Sequence, residues 1–128
     1  PFLQRLLDRF ELIPLAVGDA SPEQVAQVLE QVWGGSETLI VISSDLSHYL
    51  PYTLAQRVDQ DTVQTILEFG PQLRPNQACG AVPILGLLQA AAHHRLEPHL
   101  LDLRNSGDTA GDKERVVGYA AFAFCEAG

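Results

Sequence analysis

Basic residues are scarce in this chain: 8 Lys and Arg stand against 16 Asp and Glu in 128 residues, a formal net charge of −8, with an isoelectric point near 4.7. Nucleic acid and anionic membrane surfaces both call for clustered Lys and Arg, so the balance argues against either partner. No apolar run approaches the length needed to cross a bilayer. The two cysteines, Cys79 and Cys125, lie far apart with no CxxC spacing, which excludes a disulfide framework and a zinc ribbon and makes a reducing cytoplasm the expected compartment. Internal repeats, low-complexity tracts and a signal-peptide pattern are all missing. The chain opens on Pro1 rather than Met, so it reads as a segment of something already under way. What is present is 46% hydrophobic residues, enough to bury the core of one globular domain.

The apolar spacing of Phe2, Leu3, Leu6, Leu7 and Phe10 predicts a helix with one core-facing stripe. Residues 12–17 read as a buried strand. Ser21-Pro22-Glu23-Gln24 is a capping box with proline at the first helical position, and Val25, Val28, Leu29, Val32 and Trp33 form the inner face of the helix it starts, which Gly34-Gly35 ends. A second strand over 38–43 would complete a strand–helix–strand unit, hence a right-handed parallel crossover. Pro51 marks entry to a helix reaching about Phe69, closed by Gly70-Pro71. A loop over 74–78 delivers Cys79-Gly80 to a further helix, with Pro83 in its first turn and His93-His94 near its end. Two final strands are predicted at 98–103 and 116–124, separated by a polar loop over 105–115. The expected class is α/β, a mostly parallel sheet flanked by helices.

The segment 41–50 carries the most chemistry. Residues 39–42 form a β-branched run without alternation, as in a strand buried on both faces, and Ser43, Ser44, Asp45, Ser47 and His48 follow at its carboxyl end. Ligands of open α/β sheets bind beyond those ends. Asp45 and His48, three residues apart, can face one pocket as an acid–base pair. A thiol at the amino end of a helix is favoured as thiolate by the helix dipole, which makes Cys79 a candidate metal ligand or nucleophile. The bland alternatives are that Ser44 and Asp45 bond to turn and helix-start amides and that Cys79 is a small buried side chain. A serine hydrolase lacks the G-x-S-x-G elbow. Adjacent helix residues point apart, so His93 and His94 are expected to meet the helix dipole rather than one ion. His99 reads as structural, the Asp108, Gly111 and Asp112 loop as turns rather than a cation site, and Tyr119 as core beside a glycine that permits close approach.

Taken together, Pro1-Phe2-Leu3, Ser43-Ser44-Asp45-Leu46-Ser47-His48-Tyr49, Cys79-Gly80, Pro83-Ile84 and Asn105-Ser106-Gly107-Asp108 leading to Val116-Val117-Gly118-Tyr119-Ala120-Ala121 resemble the MEMO family. Its bacterial and archaeal members are known as AmmeMemoRadiSam system protein B. The resemblance implies the C-terminal half of an α/β sandwich like that of extradiol dioxygenases, so that 1–128 would be one incomplete domain lacking its N-terminal half. It implies a pocket for iron or copper in which Cys79 is the thiolate ligand and Asp45 and His48 are the catalytic acid and imidazole beside it. The family's two histidine ligands precede Pro-Phe-Leu and are not in this sequence; His93, His94 and His99 match neither. A redox or oxygenase-like function, with a radical SAM protein as partner, is the implied activity. The alternative is a non-catalytic module binding a protein or phosphopeptide in the same pocket, for which Arg57, Arg74, Arg104 and Arg115 would have to converge. Self-association through an uncovered sheet edge and apolar face is a further expectation.

Overall fold

The computed structural model describes residues 2–109 and 111–126. Pro1 of the Pro-Phe-Leu motif and Ala110 of the polar loop lie outside the described residues. Helix α1 spans Phe2–Leu6, α2 Pro22–Gln31, α3 Tyr52–Leu67 and α4 Ala81–His93; strands β1, β2 and β3 span His48–Leu50, Leu96–Asn105 and Val116–Glu126.

Local chemistry sets the helix ends. Ser21 Oγ accepts from the Gln24 amide at 3.2 Å and Gln24 Oε1 accepts from the Ser21 amide at 2.9 Å, closing the box at the start of α2. Past the end of α3, Phe69 takes a left-handed φ of 54°. Its amide bonds to Ile66 O and that of Gly70 to Thr65 O, a Schellman stop built on a residue other than glycine. Helix α2 lays Val25 and Leu29 against Ala90 of α4, while Ile66 of α3 packs with Leu73, Ala81 and Leu88. A third cluster joins Leu46, Val63 and Ala78 under Leu103, Ala120 and Phe122.

The sheet has the order β1-β3-β2 and is antiparallel throughout, which corrects the mostly parallel sheet expected from sequence. The two final strands form as a long antiparallel pair across a short 3-10 turn, Ser106–Asp108. By contrast, 12–17 and 38–43 run without a ladder, so the crossover does not form among the described residues. A double-sided apolar strand needs a neighbour on each edge, and neither segment has one here. Leu12, Ile13, Leu15, Leu39 and Val41 are exposed. The first helix is likewise shorter than its stripe and buries no residue.

Candidate metal centre

Residues 43–48 are held on β3 by backbone bonds. The Leu46 amide donates to Gly118 O and the Gly118 amide to Ser47 O, each at 2.9 Å. From below, Asp59 of α3 accepts the Ser47 amide at 3.0 Å. This carboxylate fits only because position 118 is glycine, since a Cβ there would lie 2.0 Å from Asp59 Oδ2. The glycine read from sequence as a place of close approach thus admits an acid from the chain itself. Burial raises the Asp59 pKa, and the Ser47 amide opposes that shift. Ser47 Oγ is buried with no hydrogen-bond partner among the described residues.

β1 starts at His48. Its pairing with β3 breaks register between His48 and Leu50, and Tyr49 between them has φ 58°, a bulge that re-aims the flanking side chains. His48 Nε2 lies 3.3 Å from Asp45 Oδ2. Arg115 sits over the Tyr49 ring, 4.9 Å from its centroid.

Cys79 arrives from the other side, one residue before Gly80, the N-cap of α4. The Gly80 amide donates to Ser44 Oγ at 2.8 Å, and Ser44 Oγ donates to Asp45 O at 2.7 Å. A Cβ on Gly80 would meet Ser44 Cβ at 2.7 Å, so glycine lets the two segments touch. The Asp45 amide donates to Cys79 Sγ at 3.3 Å. One oxygen of Asp45, one ring nitrogen of His48 and Cys79 Sγ thereby all lie within 4.8 Å of one another. Cys79 is exposed, not sealed in the core.

Ser44 plays the bland part foreseen for it, serving a helix-start amide. The nearest polar partner of His48 is a carboxylate, so no serine–histidine pair forms. A groove of about 550 Å³ lies next to the cluster, bordered by Leu39, Val41, Ile84, Phe122 and Phe124; it touches Ser44 but not Asp45, His48 or Cys79.

Other polar residues settle into structure. Asp108 accepts from the Tyr52 hydroxyl at 2.5 Å and the Asn105 amide at 2.8 Å; these bonds lower the pKa of Asp108 and raise that of Tyr52. Asp112 accepts the Glu114 amide, so the loop acidic residues are turn formers, as expected. His99 is an exposed residue of β2 opposite Ala123. Tyr119 is 42% exposed rather than core, because the alternation of β3 turns it outward. Arg104 is engaged by Asp102 at 2.6 Å.

Sequence reasoning missed Asp59 and did not foresee that His93 and His94 meet Glu30 of α2. The two imidazoles reach one carboxylate: His93 Nδ1 and His94 Nε2 lie 3.0 and 2.9 Å from the two oxygens of Glu30. They converge because the rings present different nitrogens, which spacing along a helix does not reveal.

The family model described as Memo-like protein matches residues 1–123. A MEMO1 family protein of Metallosphaera sedula is 30% identical over 98% of this chain and 49% of its own length. Those of Methanosarcina mazei and Aquifex aeolicus are 33% and 32% identical, over 94% and 97% of this chain and 51% of each relative. The chain therefore spans about half the length of the curated relatives it matches. By the match along nearly all of its residues, the chain belongs to the Memo-like protein family.

Proposed function

We propose that Cys79, with Asp45 and His48, forms part of a pocket that binds iron or copper and serves redox or oxygenase-like chemistry. The observation that carries this reading is the convergence of a thiol, an imidazole and a carboxylate within 4.8 Å. The Cys79 thiolate suits copper and iron better than hard cations, which favour sets made wholly of oxygen. The sulfur is open to solvent, and the Asp45 amide pointed at it stabilises negative charge there. A bound iron or copper ion would supply one-electron and dioxygen chemistry. Asp45 holds the His48 ring by Nε2, fixing its orientation and giving the pair a proton to exchange at that nitrogen.

The test is metal content after loading with iron or copper, in the full-length protein and in Cys79→Ala. The expected result is loss of the bound metal with the thiol. His48→Ala is expected to weaken binding by about 10-fold to 100-fold, as for a partner that orients a ligand. Unchanged stoichiometry in Cys79→Ala overturns the thiolate role.

A further inference from the structure

We infer that Glu30, His93 and His94 form a second metal site, distinct from the Cys79 centre, that takes a zinc-class divalent cation and clasps α2 to α4. One oxygen of Glu30 and one ring nitrogen from each histidine lie within 4.8 Å of one another. The contacts from the carboxylate to the two nitrogens are 3.0 and 2.9 Å. Each nitrogen sits on a different oxygen of the carboxylate; tetrahedral coordination with bonds of about 2.0–2.1 Å places donors about 3.3 Å apart, so side-chain rotation that draws both nitrogens toward one oxygen admits the ion. The side chain of His93 is 75% exposed and those of His94 and Glu30 about 30%, which leaves a coordination position for water on the outer side.

Two further observations favour a cation here. The His94 ring stacks on Trp33, with centroids 4.0 Å apart and planes 1° from parallel, so one ligand is already held in place. Glu30 lies in the last turn of α2 and His93 in the last turn of α4; two helix carboxyl ends meet at this corner, and their dipoles favour positive charge. The last turn of α2 has no basic residue of its own to answer that field. Two imidazoles with one carboxylate select zinc, cobalt, nickel or copper(II) over magnesium or calcium.

Trp33 is the single tryptophan of the chain, which makes the site its own reporter. Cobalt(II) titrated into the full chain is expected to quench Trp33 emission to saturation, and to do so equally in Cys79→Ala, with no near-ultraviolet thiolate-to-cobalt band accompanying the quench in that variant. Glu30→Gln and His93→Ala keep the tryptophan stack and are expected to raise the half-quenching cobalt concentration by about tenfold or more, at least the scale seen when even an outer partner of a metal site is lost. Zinc is expected to reverse the quench by competition. Quenching that disappears in Cys79→Ala assigns the metal to the other centre, and quenching that persists unchanged in both Glu30→Gln and His93→Ala shows non-specific binding; either result overturns the inference. Metal loss from Cys79→Ala with Trp33 quenching intact would uphold both sites independently.

Discussion

Asp59 lies 2% exposed between the Ser47 amide and the Gly118 backbone, and its titration is a prediction in itself. Burial raises its folded pKa above the ordinary carboxylate value of 3.8, so the folded chain keeps this proton to higher pH than the unfolded chain does. The resulting contribution to stability is fully present below the unfolded pKa and is lost as pH rises through the folded value. Asp59→Asn, which keeps an acceptor for Ser47 without the charge, should therefore gain stability relative to the native chain as pH climbs from acid toward neutral, read from urea midpoints at several pH values. A constant difference across that range would show that burial does not govern this carboxyl. In the sequence, His48 and Cys79 were legible because they stand at or just before the start of β1 and α4, and Asp45 by its spacing of three from His48, although the strand expected ahead of it does not form. Asp59 was not, although a signal existed: it shares the inward stripe of α3 with Ala55, Thr62, Val63 and Ile66, where an acid must have a buried partner.

The α2–α4 pair turns on Gly86. A Cβ at that position would sit 2.5 Å from Val25 Cγ1 and 3.0 Å from Pro22 O, and the second contact is backbone that cannot rotate away. Gly86→Ala gains about 1 kcal/mol in helix propensity, yet overpacking costs about 1–3 kcal/mol, so net destabilisation of up to about 2 kcal/mol is expected in denaturant melts. A variant more stable than the parent would mean that the helices separate freely at this point. The helices themselves were readable from caps, prolines and apolar spacing, because those signals are local. The parallel strands expected at 12–17 and 38–43 do not form, because these runs carry the composition of interior strands while a ladder depends on neighbours elsewhere in the chain. The long β2–β3 pair was predicted as strands, but its antiparallel partnership and the bulge at Tyr49 depend on contacts between segments far apart in sequence.

For the molecule as a whole, the large apolar residues without cover include Phe2 and Leu6 of α1 and, in the unpaired runs, Leu12 at 65%, Ile13 at 69%, Leu39 at 70% and Val41 at 58% exposed. Exposed apolar surface of this kind favours association, and the 128-residue chain alone should show an apparent mass that rises with concentration in light scattering. A constant monomer mass at high concentration would mean that the two runs find cover within the chain. Replacing Ile13 and Val41 by charged residues together should lower the association if these runs carry it.

The sheet borders decide what kind of association this is. One border is β2, whose Pro98 has no amide hydrogen to offer and whose own register shifts between Leu100 and Asp102; on the other, β1 is three residues long and meets β3 only at Val116 and Val117, so past Gly118 that edge of β3 has no ladder partner among the described residues. The β2 border lacks a long, even row of donors and acceptors, whereas the β3 edge from Tyr119 to Glu126 offers one to an incoming strand. Association of isolated chains should consequently proceed by strand addition at this edge, read as dye-binding growth; amorphous clumps that bind no dye would show that the edge is covered.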